Sequence, residues 1–141
     1  MLIRHILAKK GTHVVTIQPE QTVRQAIALL AQYKIGALIV VDPSSKPVGI
    51  ITERDIIRAA STKDDFFNQT VREVMTTNLI AGSLNDDSRS AEHTMTEKRF
   101  RHLPIMDQGK LAGIISIGDL VKAQMEDYQG EVESLKSYIT R

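Results

Sequence analysis

Two stretches of this chain, Gly49-Ile50-Ile51-Thr52-Glu53-Arg54-Asp55 and Gly113-Ile114-Ile115-Ser116-Ile117-Gly118-Asp119, each place a hydroxyl residue three positions ahead of an aspartate, directly after two isoleucines. At a point where a strand-like run gives way to a helical one, that pair can do two kinds of work. It can cap the helix, the hydroxyl accepting from the first unpaired amides and the acid facing them from the third helical position. It can also hold a nucleotide. The amides of a helix N-terminus attract a phosphate, the hydroxyl donates to it, and the aspartate accepts from the two vicinal hydroxyls of a ribose. The usual capping acid is Glu or Gln, whose extra methylene reaches back to the cap amide, so the shorter Asp in both copies is expected to face outward more freely. Hydrogen bonds to a carboxylate are worth on the order of 1.5 to 3 kcal/mol each, so one Asp gripping two hydroxyls would supply much of the roughly 8 kcal/mol of a micromolar complex.

The elements that must position these residues are themselves duplicated. The two motifs lie 64 residues apart, and upstream of them an offset of 65 lays Gly36–Asp42 over Arg101–Asp107, with Ile35 on Phe100, Leu30 on Met95 and Ala26 on Ala91. The same offset sets Thr12-His13-Val14-Val15 on Thr77-Asn78-Leu79-Ile80, and further back IRHIL at 3–7 answers VREVM at 71–75. Within the first copy, Val14–Ile17 reads as a short β-branched strand, and Val23, Ala26, Ile27, Leu30 and Ala31 form the apolar stripe of a helix. Ala37–Val41 reads as a buried strand closed by Asp42-Pro43-Ser44-Ser45. A hairpin returns through Val48–Ile51, and a helix follows Thr52 with Ile56, Ile57, Ala59 and Ala60 available to pack. Each unit is strand, helix, strand, strand, helix. About sixty residues bury only roughly 60% of their unfolded surface, so two such units are expected to share one core.

Composition narrows the function classes. A chain of 141 residues with 42% hydrophobic residues can fill a core, and 18 Lys and Arg against 17 Asp and Glu leave no broad basic face for DNA, RNA or a membrane. Aromatic residues at 4% offer few stacking platforms for single strands. The absence of cysteine removes disulfides, thiolate catalysis and cysteine-based zinc sites. No apolar run approaches membrane-spanning length and no leader-like segment opens the chain, so a cytoplasmic protein is expected. His5, His13 and His93 lack metal-ligand spacing; no metal and no catalytic residue is expected.

The duplication and the stretches GIITERD, RHLPI and GIISIGD resemble a CBS domain pair, or Bateman module, and the resemblance runs to about Gln124. It implies an α/β (α+β) fold of tandem βαββα repeats related by a pseudo-twofold axis, plus a C-terminal helix. The implied division is 1–66 for the first repeat with its linker, 67–124 for the second and 125–141 for an amphipathic helix. It further implies two clefts for adenosine-containing ligands. Thr52 with Asp55 and Ser116 with Asp119 would grip ribose and phosphate. Ile35, Gly36, Ala37 and Leu38 would carry adenine in one cleft, opposite Thr12, His13 and Val14; Phe100, Arg101, His102 and Pro104 would do so in the other, opposite Thr77, Asn78 and Leu79.

The copies are not equivalent. Arg54 precedes the first aspartate where Gly118 precedes the second, and Arg101 and His102 stand where the first copy has Gly36 and Ala37. Cleft one is expected to be the better equipped, because Arg54 can reach a phosphate there; the resemblance implies that Arg101 and His102 also serve phosphate, of the ligand held by Asp55, of the one held by Asp119, or of both, with Arg101 ranked ahead of His102, whose other reading is a half-buried structural histidine. These basic residues favour AMP or NAD(H), leave ADP and ATP open and disfavour S-adenosylmethionine. Gly49 and Gly113 are expected to allow a close approach, to a ligand or to a facing backbone. Beyond Gly118, Val121, Met125, Tyr128, Val132, Leu135 and Ile139 recur at alternating steps of four and three. Such a seam either docks on its own module or joins a second subunit in a homodimer. The function expected is a stand-alone nucleotide sensor that signals by changing shape to an unidentified protein effector, with no enzymatic activity. The rivals are a structural dimerisation module whose acids only cap helices, and a nucleotide-processing enzyme.

Overall fold

The structure, a computed structural model, describes residues 1–139. In chain order the elements are α1 (Ile3–Lys10), β1 (Thr16–Ile17), α2 (Val23–Tyr33), β2 (Ala37–Val41), β3 (Pro47–Thr52), α3 (Glu53–Thr62), a 3-10 turn (Phe66–Asn68), α4 (Val71–Val74), β4 (Gly82–Ser83), α5 (Ser88–Lys98), β5 (His102–Asp107), β6 (Lys110–Ser116) and α6 (Ile117–Ile139). The strands make two three-stranded sheets, β1-β2-β3 and β4-β5-β6, so the fold is the mixed α/β tandem expected from the repeat. Two compact units result. One comprises His13–Ala81 with Gln108–Leu111; the other comprises Met1–Thr12, Gly82–Asp107 and the chain from Ala112 onward.

In the unit of the first sheet, β1 runs parallel to β2 and β3 runs antiparallel to it, with Ala37 opposite Thr52 and Ile39 opposite Ile50. All five residues of β2 are buried, the signature of a strand covered on both faces. Leu38, Val40 and Ile51 meet Val23, Ala26 and Leu30 of α2, Ile56 of α3 and Val71 of α4 in one core, and a fully buried Leu such as Leu38 contributes about 1.5 to 3 kcal/mol. Not every apolar residue expected to pack does so: Ile57 is 66% exposed, and Ala31 and Ala60 face solvent, because α2 and α3 each bury a single narrow stripe. Thr22 caps α2 through a capping box with Gln25. The helix ends on Lys34 in the left-handed conformation, and α5 ends in the same way on Arg99, its equivalent at the 65-residue offset.

In the unit of the second sheet, β4 runs parallel to β5 with Gly82 opposite Ile105. Met95 of α5, Leu103 and Ile105 of β5, Ile115 of β6, Leu120 of α6 and Ile3 and Leu7 of α1 are all essentially fully buried. The two-turn helix α1 was not legible in the sequence, nor was the single turn α4. Both short helices are anchored in the same way. Around α4, the Val71 amide donates to Gln21 O (2.7 Å) and the Arg72 amide to Pro19 O (2.9 Å), while Arg72 pairs with Glu20 (2.7 Å). Around α1, the Ile3 and Arg4 amides donate to Asp86 O and Leu84 O (both 2.9 Å), while Arg4 donates to Asn85 (2.8 Å).

These helices explain the two glycines. The segment after α4 forms a bridge with β3, where the Ile50 amide donates to Thr76 O (2.9 Å) and the Thr76 amide to Ile50 O (2.8 Å). A Cβ on Gly49 would stand 2.7 Å from Met75 Sδ and 2.9 Å from Thr76 O. A Cβ on Gly113 would stand 2.8 Å from Leu7 Cδ2. Met75 and Leu7 are equivalent in the repeat, so each glycine admits the segment that precedes the other copy in the chain. The approach is to protein. Gly49→Ala is therefore expected to cost about 1 to 3 kcal/mol, since a backbone carbonyl cannot swing aside, and Gly113→Ala clearly less, since the tip of Leu7 can. Urea denaturation of the two variants checks this, and equal losses would contradict it.

Candidate functional site

Thr52 closes β3 and is the N-cap of α3: its hydroxyl accepts from the Asp55 amide (3.3 Å), and Asp55 reaches back to accept from the Thr52 amide at Oδ2 (2.9 Å). The Thr52 hydroxyl also lies 3.1 Å from Oδ2. Asp55 Oδ1 accepts from the Thr76 hydroxyl (3.0 Å) and sits 3.7 Å from Arg58 Nη1. The carboxylate is 7% exposed. The expectation that so short an acid stays outward is thus corrected: with Thr52 extended at the N-cap, Asp55 reaches the cap amide and completes a capping box.

Ser116 and Asp119 repeat the arrangement at the start of α6. The Asp119 amide donates to Ser116 Oγ (3.1 Å), and the Ser116 amide donates to Asp119 Oδ2 (2.8 Å). The third partner differs. Where Thr76 serves Asp55, Lys10 Nζ from the end of α1 donates to Asp119 Oδ2 (2.6 Å) and to Ile114 O (2.7 Å). Burial pushes the Asp119 carboxyl up, but the Lys10 ammonium and the Ser116 amide outweigh it and hold the group below its ordinary value of 3.8. Asp119 is partly exposed, its side chain at 24%, and both Lys10 and the Ser116 amide meet it at Oδ2. Neither Thr76 nor Lys10 was foreseen. Thr76 lies one residue before the repeat-matched Thr77, and Lys10 falls among the three extra residues of the first copy, where no equivalent draws attention to it.

Each helix start is tied to the strand expected to carry adenine. The Glu53 amide donates to Gly36 O (3.1 Å), and the Ile117 amide donates to Arg101 O (2.9 Å). The first-sheet unit therefore brings Ile35, Gly36 and Ala37 beside Thr52 and Asp55, with Val14 just ahead of β1 on the neighbouring strand. Leu38 is committed to the core, so only its backbone remains for a ligand. His13 is exposed, its ring 6.5 Å from that of Tyr33, and Arg54 is exposed on the first turn of α3. In the second-sheet unit Arg101 is exposed, Phe100 and His102 are half-buried and Pro104 is buried, all leading into or lying on the strand beside Ser116 and Asp119. Thr77, Asn78 and Leu79 belong to the first-sheet unit and Thr12 to the second. Among the described residues no group of three or more His, Asp or Glu is placed to hold a metal ion, and no helix is long and apolar enough to cross a membrane.

A duplicated strand-helix-strand-strand-helix unit with a capped Thr/Ser-x-x-Asp corner in each copy defines a tandem-repeat module. The sequence profile of the CBS domain matches residues 4–62 and 71–126, and the chain belongs to the CBS-domain family. Over 116 residues it is 36% identical to the CBS domain-containing protein YhcV of Bacillus subtilis, a match covering 82% of each chain. The crystal structure of the CBS-domain containing protein ATU1752 from Agrobacterium tumefaciens superposes with a TM-score of 0.87 at 38% identity, covering 88% of this chain and 99% of that one. The CBS domain pair of protein MJ0100, solved in complex with 5'-methylthioadenosine and S-adenosyl-L-methionine, superposes at 0.77 with 26% identity, covering 87% and 98%.

The third partner of Asp119 yields a pH prediction. A carboxyl depressed in the folded state adds stability that is present above its unfolded pKa and is lost as pH falls through the folded value. Replacing Lys10 with Met removes the cation and leaves the burial. The Asp119 carboxyl-carbon titration followed by NMR should then move to higher pH, and the share of acid destabilisation that Asp119 contributes should shrink; an unmoved titration would contradict the assignment.

Proposed function

We propose that this chain is a regulatory module that binds an adenosine nucleotide, AMP or NAD(H) by preference with ADP and ATP open, and passes a ligand-dependent change of shape to a protein effector while working as a homodimer. The observation that carries this reading is the corner at Ser116 and Asp119. The helix N-terminus there turns the positive end of its dipole toward a phosphate. The exposed Arg101 leads into the adjoining strand. Asp119 Oδ1 retains capacity to accept from a sugar hydroxyl after the cap is made. A carboxylate has about four lone-pair sites, so capping and ribose binding do not exclude each other. On this reading Thr52, Arg54, Asp55, Arg101, His102, Ser116 and Asp119 contact ribose and phosphate, and the strand starts at Ile35–Ala37 and Phe100–His102 hold the base. Asp119 is the more accessible acid, which reverses the ranking of the two copies suggested by Arg54. The adenosine compounds held by MJ0100 support the ligand class. Arg54, Arg101 and His102 favour a phosphate-bearing member of it over the sulfonium.

The caps themselves favour a second reading, a structural module that binds nothing, since Asp55 is almost wholly occupied by protein donors. A thermal-shift panel of AMP, ADP, ATP, NAD, NADH and S-adenosylmethionine separates the two. A sensor is stabilised by about 2.7 kcal/mol at a hundredfold excess over Kd, and Asp119→Asn should remove most of that gain. A melting temperature indifferent to all six compounds would leave the structural module, and conversion of any of them would indicate an enzyme.

A further inference from the structure

Helix α6 continues without a break from Ile117 to Ile139, yet it buries only Leu120 and Ala123. The remainder presents an unpartnered seam: Val121 is 45% exposed, Met125 59%, Tyr128 71%, Val132 38%, Leu135 63% and Ile139 78%. Docking of this seam on its own module, one of the two expectations from the sequence, is not what the structure adopts. Steps of four and three place Met125, Val132 and Ile139 at the a positions of a heptad and Val121, Tyr128 and Leu135 at d. We propose that the occupant of this seam is the same helix of a second copy, paired in parallel and in register as a two-stranded coiled coil from Met125 to Ile139.

Three features carry the choice of occupant. Val132 and Ile139 are β-branched at a with Leu135 at d, the combination that favours two strands over three or four. Glu131 falls at g and Lys136 at the e position of the following heptad, so in a parallel pair each Glu131 meets the partner's Lys136, twice by symmetry. An antiparallel pair would instead bring e positions together and face Lys122 with Lys136. Gly130 is at f, the outermost position, where an added Cβ would meet nothing within 4 Å. At its base the seam forms a shallow groove lined by Val121, Gln124, Met125, Tyr128 and Gln129, with Gln124 fixed by donation to Glu92 of α5. The coil is short, but its helix is already nucleated by the packing of Leu120 and Ala123, so association does not bear the cost of starting a helix.

The inference rests on the homodimer part of the functional reading and is independent of any ligand. Sedimentation equilibrium of the full chain should show a concentration-dependent dimer. Leu135→Glu, at an exposed position, should leave the far-ultraviolet spectrum of the module unchanged and weaken the dimer by roughly 100-fold or more, since it removes an apolar anchor from both strands. Glu131→Lys and Lys136→Glu should each weaken it by about 3- to 10-fold, and the double charge swap should restore it. A dimer of unchanged affinity in Leu135→Glu would keep the homodimer and overturn the coiled coil. A dimer weakened by Leu135→Glu but not rescued by the double swap would overturn the parallel register. A monomer at every attainable concentration would overturn both the coil and the homodimer.

Discussion

In each copy the chain turns from its last strand directly into a helix, and at that corner the first backbone amides have no helical carbonyl one turn earlier to donate to. One aspartate answers the shortage each time. Asp55 and Asp119 accept from the cap amides of Thr52 and Ser116, which fixes where α3 and α6 begin. The next amide, of Glu53 or Ile117, is thereby delivered to the carbonyl of Gly36 or Arg101 at the start of the neighbouring strand. Helix start, strand start and carboxylate become one rigid corner. Any ligand chemistry at these sites has to work with what the cap leaves over, so capping and recognition share the same oxygens.

What each corner has left over depends on a helix from elsewhere in the chain. Beside Asp55 the segment after α4 supplies a neutral hydroxyl, Thr76, and the site is nearly closed. Beside Asp119 the longer α1 supplies an ammonium, Lys10, and the carboxylate is charge-compensated yet partly exposed. A neutral hydroxyl and a cation present different faces to an incoming anion. The duplicated fold thus carries two corners of the same geometry and different electrostatics, a difference set by three extra residues ahead of Thr12.

The repeat made most of the fold legible, because an offset that matches Gly36–Asp42 to Arg101–Asp107 fixes strand, turn and helix in both copies together. α1 and α4 escaped notice because eight and four residues are too short for an apolar period to declare itself, and their helicity depends on anchoring to Asp86, Leu84, Gln21 and Pro19. The acids and hydroxyls of the site were identified by spacing alone, but their partners were not. Thr76 and Lys10 reach the acids from distant segments, and no local pattern encodes such a contact. The reach of aspartate was misjudged because a count of methylenes does not fix the side chain's distance to the cap amide, which Asp55 closes at 2.9 Å and Asp119 at 2.8 Å. The seam of α6 was legible in full, while its exposure was not, since periodicity marks a face without saying what covers it.

The central claim is that a carboxylate already engaged in a helix cap still binds the two hydroxyls of a ribose. Isothermal titration of AMP against 2',3'-dideoxy-AMP tests it on the unmodified protein, leaving the caps, base and phosphate the same. Loss of both hydroxyls should weaken binding by roughly 100-fold or more, as expected for two hydrogen bonds to an ionised acceptor. Equal affinity for the two nucleotides would show that the aspartates serve the helices alone.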